Sequence, residues 1–133
     1  MSASDYLETQ ILTHIFRTAS FTKPSALYVA LFTTAPAEDG TGGTEVSGGS
    51  YARVQNGPSD AAWGLSGSVV SNTPEIIFPA PTGNWGSIAA FGVYDASSAG
   101  NYLGGAALAI PKTVNNGDAA PRYLAGALTW TAA

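Results

Sequence analysis

Apolar residues near the start of the chain recur at the spacing of a helix. Five of them lie on or beside one helical stripe: Leu7, Ile11, Leu12, Ile15 and Phe16. Either Ser4 or Asp5 can cap the first turn, and Glu8 follows Asp5 by three residues, as in a capping box. The pattern predicts an N-terminal helix over residues 4–18. Because the stripe is narrow and the helix is short, we expect it to lie against a sheet.

The pattern changes after Pro24 to that of β-strands. Residues 26–32, ALYVALF, form a nearly continuous apolar run of strand length, which is typical of a strand buried on both faces. Residues 33–49 then show no period and contain many glycines and polar residues. This segment is too long for a simple hairpin, so we expect a long exposed loop.

Short strands are predicted along the rest of the chain. Residues 50–55, SYARVQ, form one, with Tyr51, Ala52 and Val54 as its more buried positions. Five further strand-like runs are each bounded by Gly, Pro, Asn or Ser: residues 62–65, 73–78, 88–95, 102–110 and 123–131. Short strands with frequent turns predict a mainly β fold, a jelly-roll-like antiparallel β-sandwich with one N-terminal α-helix. The length fits a single domain over residues 1–133.

The composition argues against two classes of partner. Only 11% of the residues are charged and the net charge is −4. The five basic residues are scattered along the chain: Arg17, Lys23, Arg53, Lys112 and Arg122. A nucleic-acid-binding face needs clustered cations, so we expect no nucleic-acid partner. We expect no membrane partner either, because no apolar run is long enough to span a bilayer and the first residues lack signal-peptide character.

Nucleophilic catalysis has few candidate residues. His14 is the one histidine and the chain has no cysteine, so neither a nucleophile–base pair nor a histidine-rich metal site can be built. His14 falls at the margin of the helical stripe. We interpret it as a partly buried histidine near a sheet.

The carboxylates do not form a recognisable site. Glu38, Asp39 and Glu45 share one predicted loop and could bind a hard cation through oxygen, but their spacing matches no calcium loop. We interpret them as solvated loop acids. Glu75 and Asp95 adjoin apolar strands, and nothing in the sequence pairs them as glycosidase carboxylates. We therefore predict no catalytic residue, no cofactor and no metal site.

Residues 43–54, GTEVSGGSYARV, suggest either a phosphate-binding loop or the entry to a strand. The segment has no lysine, and the spacing of its glycines matches neither the Walker nor the dinucleotide-binding motif. Its acids would repel an anion. The pattern therefore indicates a turn in which Gly48 and Gly49 supply backbone freedom before Tyr51 and Val54 enter a strand.

The tryptophans leave three interpretations open. Trp63, Trp85 and Trp130 can pack in the core, anchor a protein interface, or stack on a sugar. Core and strand-edge packing is the simplest of the three. The sugar interpretation requires exposed indoles, with Trp63 and Trp85 as its candidates.

Seven segments occur in an order that resembles a family of small tailed-bacteriophage virion proteins. They are YLETQILTHIFR, LYVALFTTAP, GTEVSGGSYARV, EIIFPAPTGNWGSIAAFGVYDA, GNYLGGAAL, KTVNNGD and LAGALTW. The resemblance covers most of the chain. It implies a jelly-roll-like β-sandwich without enzymatic activity, made in the host cytoplasm and assembled on the phage particle, whose relatives carry fibre, head or decoration labels.

Two functions follow from this resemblance. The first is a capsid decoration, or cement, protein on the outer surface of the shell, with the major capsid protein as partner and with a dimer or trimer of the chain itself. The acidic balance fits a position away from packaged DNA. The second is a tail-fibre or receptor-binding module that recognises host surface glycans. In either case the N-terminal helix and the loop over residues 33–49 are the predicted partner-facing elements.

Overall fold

The computed structural model describes residues 2–132. Within them the chain forms one helix and eleven strands: β1 (Ser2–Ala3), α1 (Asp5–Phe16), β2 (Tyr28–Thr34), β3 (Thr44–Glu45), β4 (Val54–Gln55), β5 (Trp63–Ser66), β6 (Val69–Asn72), β7 (Ile76–Ile77), β8 (Gly86–Tyr94), β9 (Tyr102–Val114), β10 (Arg122–Tyr123) and β11 (Thr129–Thr131). The helix is shorter at both ends than the predicted residues 4–18, because Ser4 is its N-cap and Arg17 its C-cap.

The strands form three antiparallel sheets. The largest has the order β1-β9-β8-β2-β3, with β4 also paired to β2. Two small sheets contain β10 with β7, and β11, β6 and β5 in the order β11-β6-β5. This confirms the predicted mainly β, antiparallel, sandwich-like fold with one N-terminal helix. The closer likeness to a jelly roll stays a prediction.

The central strand β2 is buried on both faces, as its apolar run predicted. Val29 and Leu31 join the main core. Ala30 and Phe32 point the other way and pack with Ala90. Alternate side chains of a strand face opposite sides of the sheet, so one apolar run fills two layers.

The main core lies between the large sheet and residues of the smaller ones. Its buried members come from across the chain: Val29, Leu31, Val46, Ile76, Phe78, Trp85, Ile88, Phe91, Val114 and Leu128. Asn72, the last residue of β6, is a buried polar residue that connects segments of the two small sheets. Its amide donates to the carbonyls of Pro74 and Leu124, and its side-chain oxygen accepts from the Leu128 amide.

The interpretation of residues 33–49 as too long for a hairpin is wrong. β2 extends to Thr34, and β3 pairs back onto it, with Phe32 opposite Glu45 and Thr34 opposite Thr44. A hydrogen-bonded turn joins them: Ala37 donates to Thr41, and Gly40 donates to Ala37. These hydrogen bonds within the turn take the place of the strand-to-strand hydrogen bonds that a short hairpin would form. Residues 35–43 are the part that projects from the sheet.

Other predicted strands differ in their ends. The strand over residues 50–55 is reduced to β4, because Ser50 has φ +66° and Ala52 is exposed. The last predicted strand, residues 123–131, divides into β10 and β11 around a turn at Gly126, where φ is +78°. β6 was not predicted. Polar residues interrupt its apolar pattern, so it resembles a turn in the sequence.

Candidate assembly surface

The first turn of α1 is fixed to the sheet by Ser4. This residue is buried, its hydroxyl accepts from the Leu7 amide (3.2 Å) and donates to the Tyr102 carbonyl (2.6 Å), and its own amide donates to Leu103 (2.9 Å). Side-chain capping at this position satisfies an otherwise unpaired helical amide. The start of α1 therefore cannot rotate freely over β9.

The same anchor brings the two predicted partner-facing elements together. The Asp5 amide donates to the Glu38 carbonyl over 3.0 Å, so the turn over residues 35–43 lies beside the beginning of α1. Within that turn, Asp39 is fully exposed and accepts from both the amide and the hydroxyl of Thr41. These hydrogen bonds lower the pKa of Asp39 below its usual value.

The helix turns its apolar face away from the protein. Its half-buried side chains are Tyr6, Leu7, Gln10 and Thr13, and none of its residues is fully buried. Its large apolar side chains are exposed: Ile11 47%, Leu12 58%, Ile15 64% and Phe16 78%. The expectation that the whole stripe lies against a sheet is therefore wrong. The Ser4 cap sets the rotation of the helix, and only Leu7 of the stripe reaches the body of the protein.

An apolar groove begins where Leu7 meets the body of the protein. It has a volume of about 300 Å³, and its walls include Leu7, Leu27, Trp63, Val70, Leu103 and Trp130. The groove and the exposed face of α1 thus meet at Leu7. We call the four exposed side chains of α1, together with this groove, the assembly surface.

The tryptophans are placed by hydrogen bonds as well as by packing. Trp85 is buried in the core, and its indole N–H donates to the Gly49 carbonyl over 2.8 Å. Trp63 is half-buried and donates to the Asn56 carbonyl over 2.9 Å. The interpretation of Trp85 as an exposed sugar platform is therefore wrong. Trp63 and the half-buried Trp130 present part of their surface to the groove.

Glu45 is not the solvated loop acid that the sequence suggested. Its carboxylate accepts from the Arg53 guanidinium at two points, 2.8 and 2.9 Å, and from the Tyr51 hydroxyl at 2.8 Å. The Arg53 guanidinium also donates to the carbonyls of Ala96 and Ala99. Glu45 and Arg53 are eight residues apart, but no local pattern indicates that the turn between them brings their side chains together. The pair ties β3 to the loop that follows β8.

Two tyrosines beside this pair have raised pKa values. Burial raises the pKa of Tyr51 well above its usual value, and the neighbouring Glu45 carboxylate acts in the same direction. Burial also raises the pKa of Tyr94, whose ring centroid lies 3.7 Å from the Arg53 guanidinium carbon. Both rings also pack against other aromatic rings, Tyr51 against Phe78 and Trp85 and Tyr94 against Phe32 and Tyr102.

Glu75 and Asp95, the two acids that adjoin apolar strands, have separate local partners. Glu75 pairs with Arg122 at the surface over 3.0 Å. Asp95 accepts from the amide and side chain of Asn101, closing the loop between β8 and β9. No group of three or more His, Asp or Glu side chains within residues 2–132 is arranged to hold a metal ion.

His14 lies on the exposed side of α1, so the interpretation of a partly buried histidine near a sheet is wrong. Its Nδ1 accepts a hydrogen bond from the Phe21 amide over 3.1 Å. This bond fixes the chain that leaves the helix. The helix has 12 residues, and no helix in the part of the chain that the structure describes is long and apolar enough to cross a membrane.

Comparison with known proteins gives the family of this chain. The family model described as podophage GP4 fiber I protein gp80 matches residues 2–131. The chain belongs to this family, which confirms its resemblance to small tailed-phage virion proteins. It is a structural protein of the phage virion. A search of the curated proteins found no match.

Proposed function

We propose that the protein is a non-enzymatic fibre subunit that is held in the virion by apolar contacts with other protein chains. The observation that carries this proposal is the outward face of α1, where Ile11, Leu12, Ile15 and Phe16 are exposed together. Monomeric soluble proteins rarely expose large contiguous apolar patches unless a partner covers them.

The attachment of α1 suits this role. Ser4 and Asp5 fix the first turn to β9 and to the 35–43 turn, while the apolar residues lie in the last two turns of the helix. A rigidly presented surface loses little conformational entropy when it binds a partner. The helix can therefore act as a preformed contact element.

Among virion locations, the family description favours a fibre. Capsid decoration is the second candidate, with the major capsid protein as partner at the outer surface of the shell. The net charge of −4 and the scattered basic residues support it, since an acidic protein is repelled by packaged DNA and tolerated outside the shell.

Recognition of host glycans by the groove has weaker support. Sugar sites combine aromatic faces with well-placed polar groups, whereas the walls of this groove are mainly apolar, from Leu7 to Val70. Trp85 is buried and unable to contribute. We expect phage that still incorporate the Trp63→Ala protein to adsorb to host cells at the parental rate, and a loss of adsorption despite normal incorporation would favour the glycan function.

Location on the particle tests the proposal directly. Phage carrying a tagged copy of the protein should show label on fibres by electron microscopy. Label confined to the shell would favour the decoration function, and particles without the protein would overturn both.

Ile15→Glu should prevent incorporation, because it puts a charge in the apolar face. Ile110→Glu, at an even more exposed apolar position on β9 that does not line the groove, is the matched control and should be incorporated.

A further inference from the structure

We propose that Asn116 is a site of spontaneous deamidation at which the folded protein gains a carboxylate, whereas the surroundings of Asn56 protect it from the same reaction. Both residues precede a glycine, in the pairs Asn116-Gly117 and Asn56-Gly57. Asparagine is chemically labile, and a following glycine favours the reaction because it has no side chain to obstruct ring closure. The sequence alone makes the two sites equivalent, and the fold separates them. This inference goes beyond the proposed function and does not depend on it.

The reaction has two steps and needs water as its one co-reactant. In the first step, the Gly117 backbone nitrogen loses its proton and attacks the side-chain carbonyl carbon of Asn116. A bond forms between these two atoms, the bond from that carbon to the side-chain nitrogen breaks, and this nitrogen takes up the proton and leaves as ammonia. Water then opens the five-membered succinimide ring at either of its carbonyls. The products are aspartate and isoaspartate, and both carry a new carboxylate.

Asn116 lies in an exposed turn over residues 115–118. Its side-chain amide makes no hydrogen bond to any residue in the described part of the chain, so it is free to rotate toward Gly117. The space beside Gly117 is open, since a β-carbon built there would have nothing within 4 Å. The Gly117 amide donates to the Pro81 carbonyl over 3.1 Å, and a single neutral hydrogen bond at the surface is readily broken. The turn therefore leaves room for ring closure.

Asn56 is held through both its backbone and its side chain. It is 7% exposed, its backbone amide donates to the Leu27 carbonyl over 2.8 Å, and its side-chain nitrogen donates to the Ala62 carbonyl over 3.3 Å. Its own carbonyl accepts from the Trp63 indole over 2.9 Å. The same indole crowds Gly57, because a β-carbon there would lie 2.8 Å from the ring. Ring closure at Asn56 therefore requires unfolding of this segment.

Conversion of Asn116 changes the charge and the hydrogen bonds of its turn. The product carries one negative charge more than the net −4 of the unmodified chain. The Asn116 amide donates to the Asn84 side-chain oxygen over 2.9 Å, and the Gly117 amide donates to Pro81. In isoaspartate the main chain passes through the former side chain, so one extra carbon separates these two amides. The turn is then held less firmly to residues 81–84.

Peptide mapping of the intact, folded protein tests the proposal. After incubation in neutral buffer, trypsin separates the two sites, because Asn116 lies in the peptide over residues 113–122 and Asn56 in the peptide over residues 54–112. Mass spectrometry detects the conversion of amide to acid, and a sample digested without incubation corrects for conversion during digestion. We expect Asn116 to convert more than about tenfold faster than Asn56, because exposed turns open at a much lower free energy than buried segments. No conversion at Asn116, or equal conversion at both sites, would overturn the proposal.

The same incubation in concentrated urea removes the fold and keeps the sequence. The two asparagines should then convert at similar rates, since each precedes a glycine. A difference as large as that in the folded protein would show that the contacts of Asn56 do not protect it, and would overturn this part of the proposal.

Two glycine variants test the chemical route. Gly117→Ala puts a β-carbon beside the attacking nitrogen and should slow the conversion of Asn116. Gly126→Ala is the matched control, because Gly126 has φ +78° against +83° at Gly117 and a β-carbon would contact nothing within 4 Å at either position. It should leave the conversion rate unchanged. A parental rate in Gly117→Ala, or equal slowing in the two variants, would exclude ring closure through Gly117.

Ion exchange separates the incubated, more acidic protein from the unmodified protein and so tests the effect on the turn. Urea denaturation of the two fractions should give a lower midpoint for the acidic one, because its turn has lost matched hydrogen bonds to residues 81–84. Equal midpoints would contradict the effect assigned to the modification.

Discussion

Arg53 and Glu45 form a two-point ion pair whose arginine side chain is 6% exposed and whose glutamate side chain is 26% exposed. The pair closes the turn between β3 and β4, because its two residues are eight positions apart in the chain. The same arginine donates to two carbonyls of the loop after β8. Its guanidinium also stacks on Tyr94. One side chain therefore connects β3, the entry to β4 and the β8–β9 loop.

We expect Arg53→Met to lower the free energy of unfolding by about 3 kcal/mol, because it leaves the half-buried Glu45 carboxylate without its cation. Arg53→Lys should also destabilise, since an ammonium group cannot reproduce the two parallel bonds. Urea denaturation monitored by circular dichroism measures both. The control is Arg122→Met, which breaks the exposed pair with Glu75 and should cost less than about 1 kcal/mol. Equal losses would contradict the structural role assigned to Arg53.

Asn72→Asp should destabilise the protein by about 3 kcal/mol or more. The Asn72 amide donates to the carbonyls of Pro74 and Leu124, and a carboxylate at that buried position would face two oxygens without donating to either. Thermal unfolding at neutral pH measures the loss. Asn84→Asp is the matched control, because Asn84 is exposed and uses only its oxygen, which accepts from Asn116. A similar loss at both positions would show that Asn72 has no special structural role.

Gly49→Ala should destabilise more than Gly48→Ala. Both glycines have positive φ, +56° and +73° respectively, so each substitution costs about 1 kcal/mol of backbone strain. A β-carbon on Gly49 would also lie 2.9 Å from the Trp85 indole nitrogen, whereas one on Gly48 would contact nothing within 4 Å. Chemical denaturation measures the loss of stability in each variant. The loss in Gly48→Ala reports backbone strain alone, and the additional loss in Gly49→Ala reports crowding against Trp85. Equal losses would mean that the approach of Gly49 to Trp85 does not constrain the turn.

Stability should fall as the pH rises through the alkaline range. Burial raises the pKa of Tyr123 from 10.0 to about 12, and burial raises the pKa of Tyr51 in the same direction. The unfolded chain loses these protons first. The stabilisation from Tyr123 is therefore complete below pH 10 and is lost between pH 10 and pH 12, and the contribution of Tyr51 also begins to fall above pH 10. Urea midpoints across this range measure the loss. Tyr123→Phe should make the urea midpoint fall less steeply with pH. An unchanged pH dependence of the midpoint would contradict the contribution of this phenol.

Local pattern was sufficient for part of the fold. The apolar run around Val29 and Leu31 predicted a strand buried on both faces, because only a central strand can bury consecutive side chains. The two capping candidates, Ser4 and Asp5, and the spacing of apolar residues predicted the helix within two residues at each end. These features depend on neighbours along the chain, so they can be inferred without knowledge of distant contacts.

The contacts that build the candidate surface were less predictable. The apolar stripe of α1 suggested burial, but Ser4 and its bond to Tyr102 set the rotation that exposes Ile15 and Phe16. Residues 33–49 lack the alternation of apolar and polar residues that is typical of a strand. β3 forms within them because the backbone of β2 provides its hydrogen-bond partners. The first outcome depends on residues 98 positions apart in the sequence, and the second depends on a neighbouring strand and not on the segment's own pattern.

The sequence by itself determined which segments are apolar, where the helix and the central strand lie, and that the chain resembles a phage virion family. The tertiary structure decided which apolar residues are covered. Burial depends on the surfaces that distant segments present to one another, and periodicity cannot specify them. For this reason the pairing of Arg53 with Glu45 and the outward face of α1 emerge only from the folded chain.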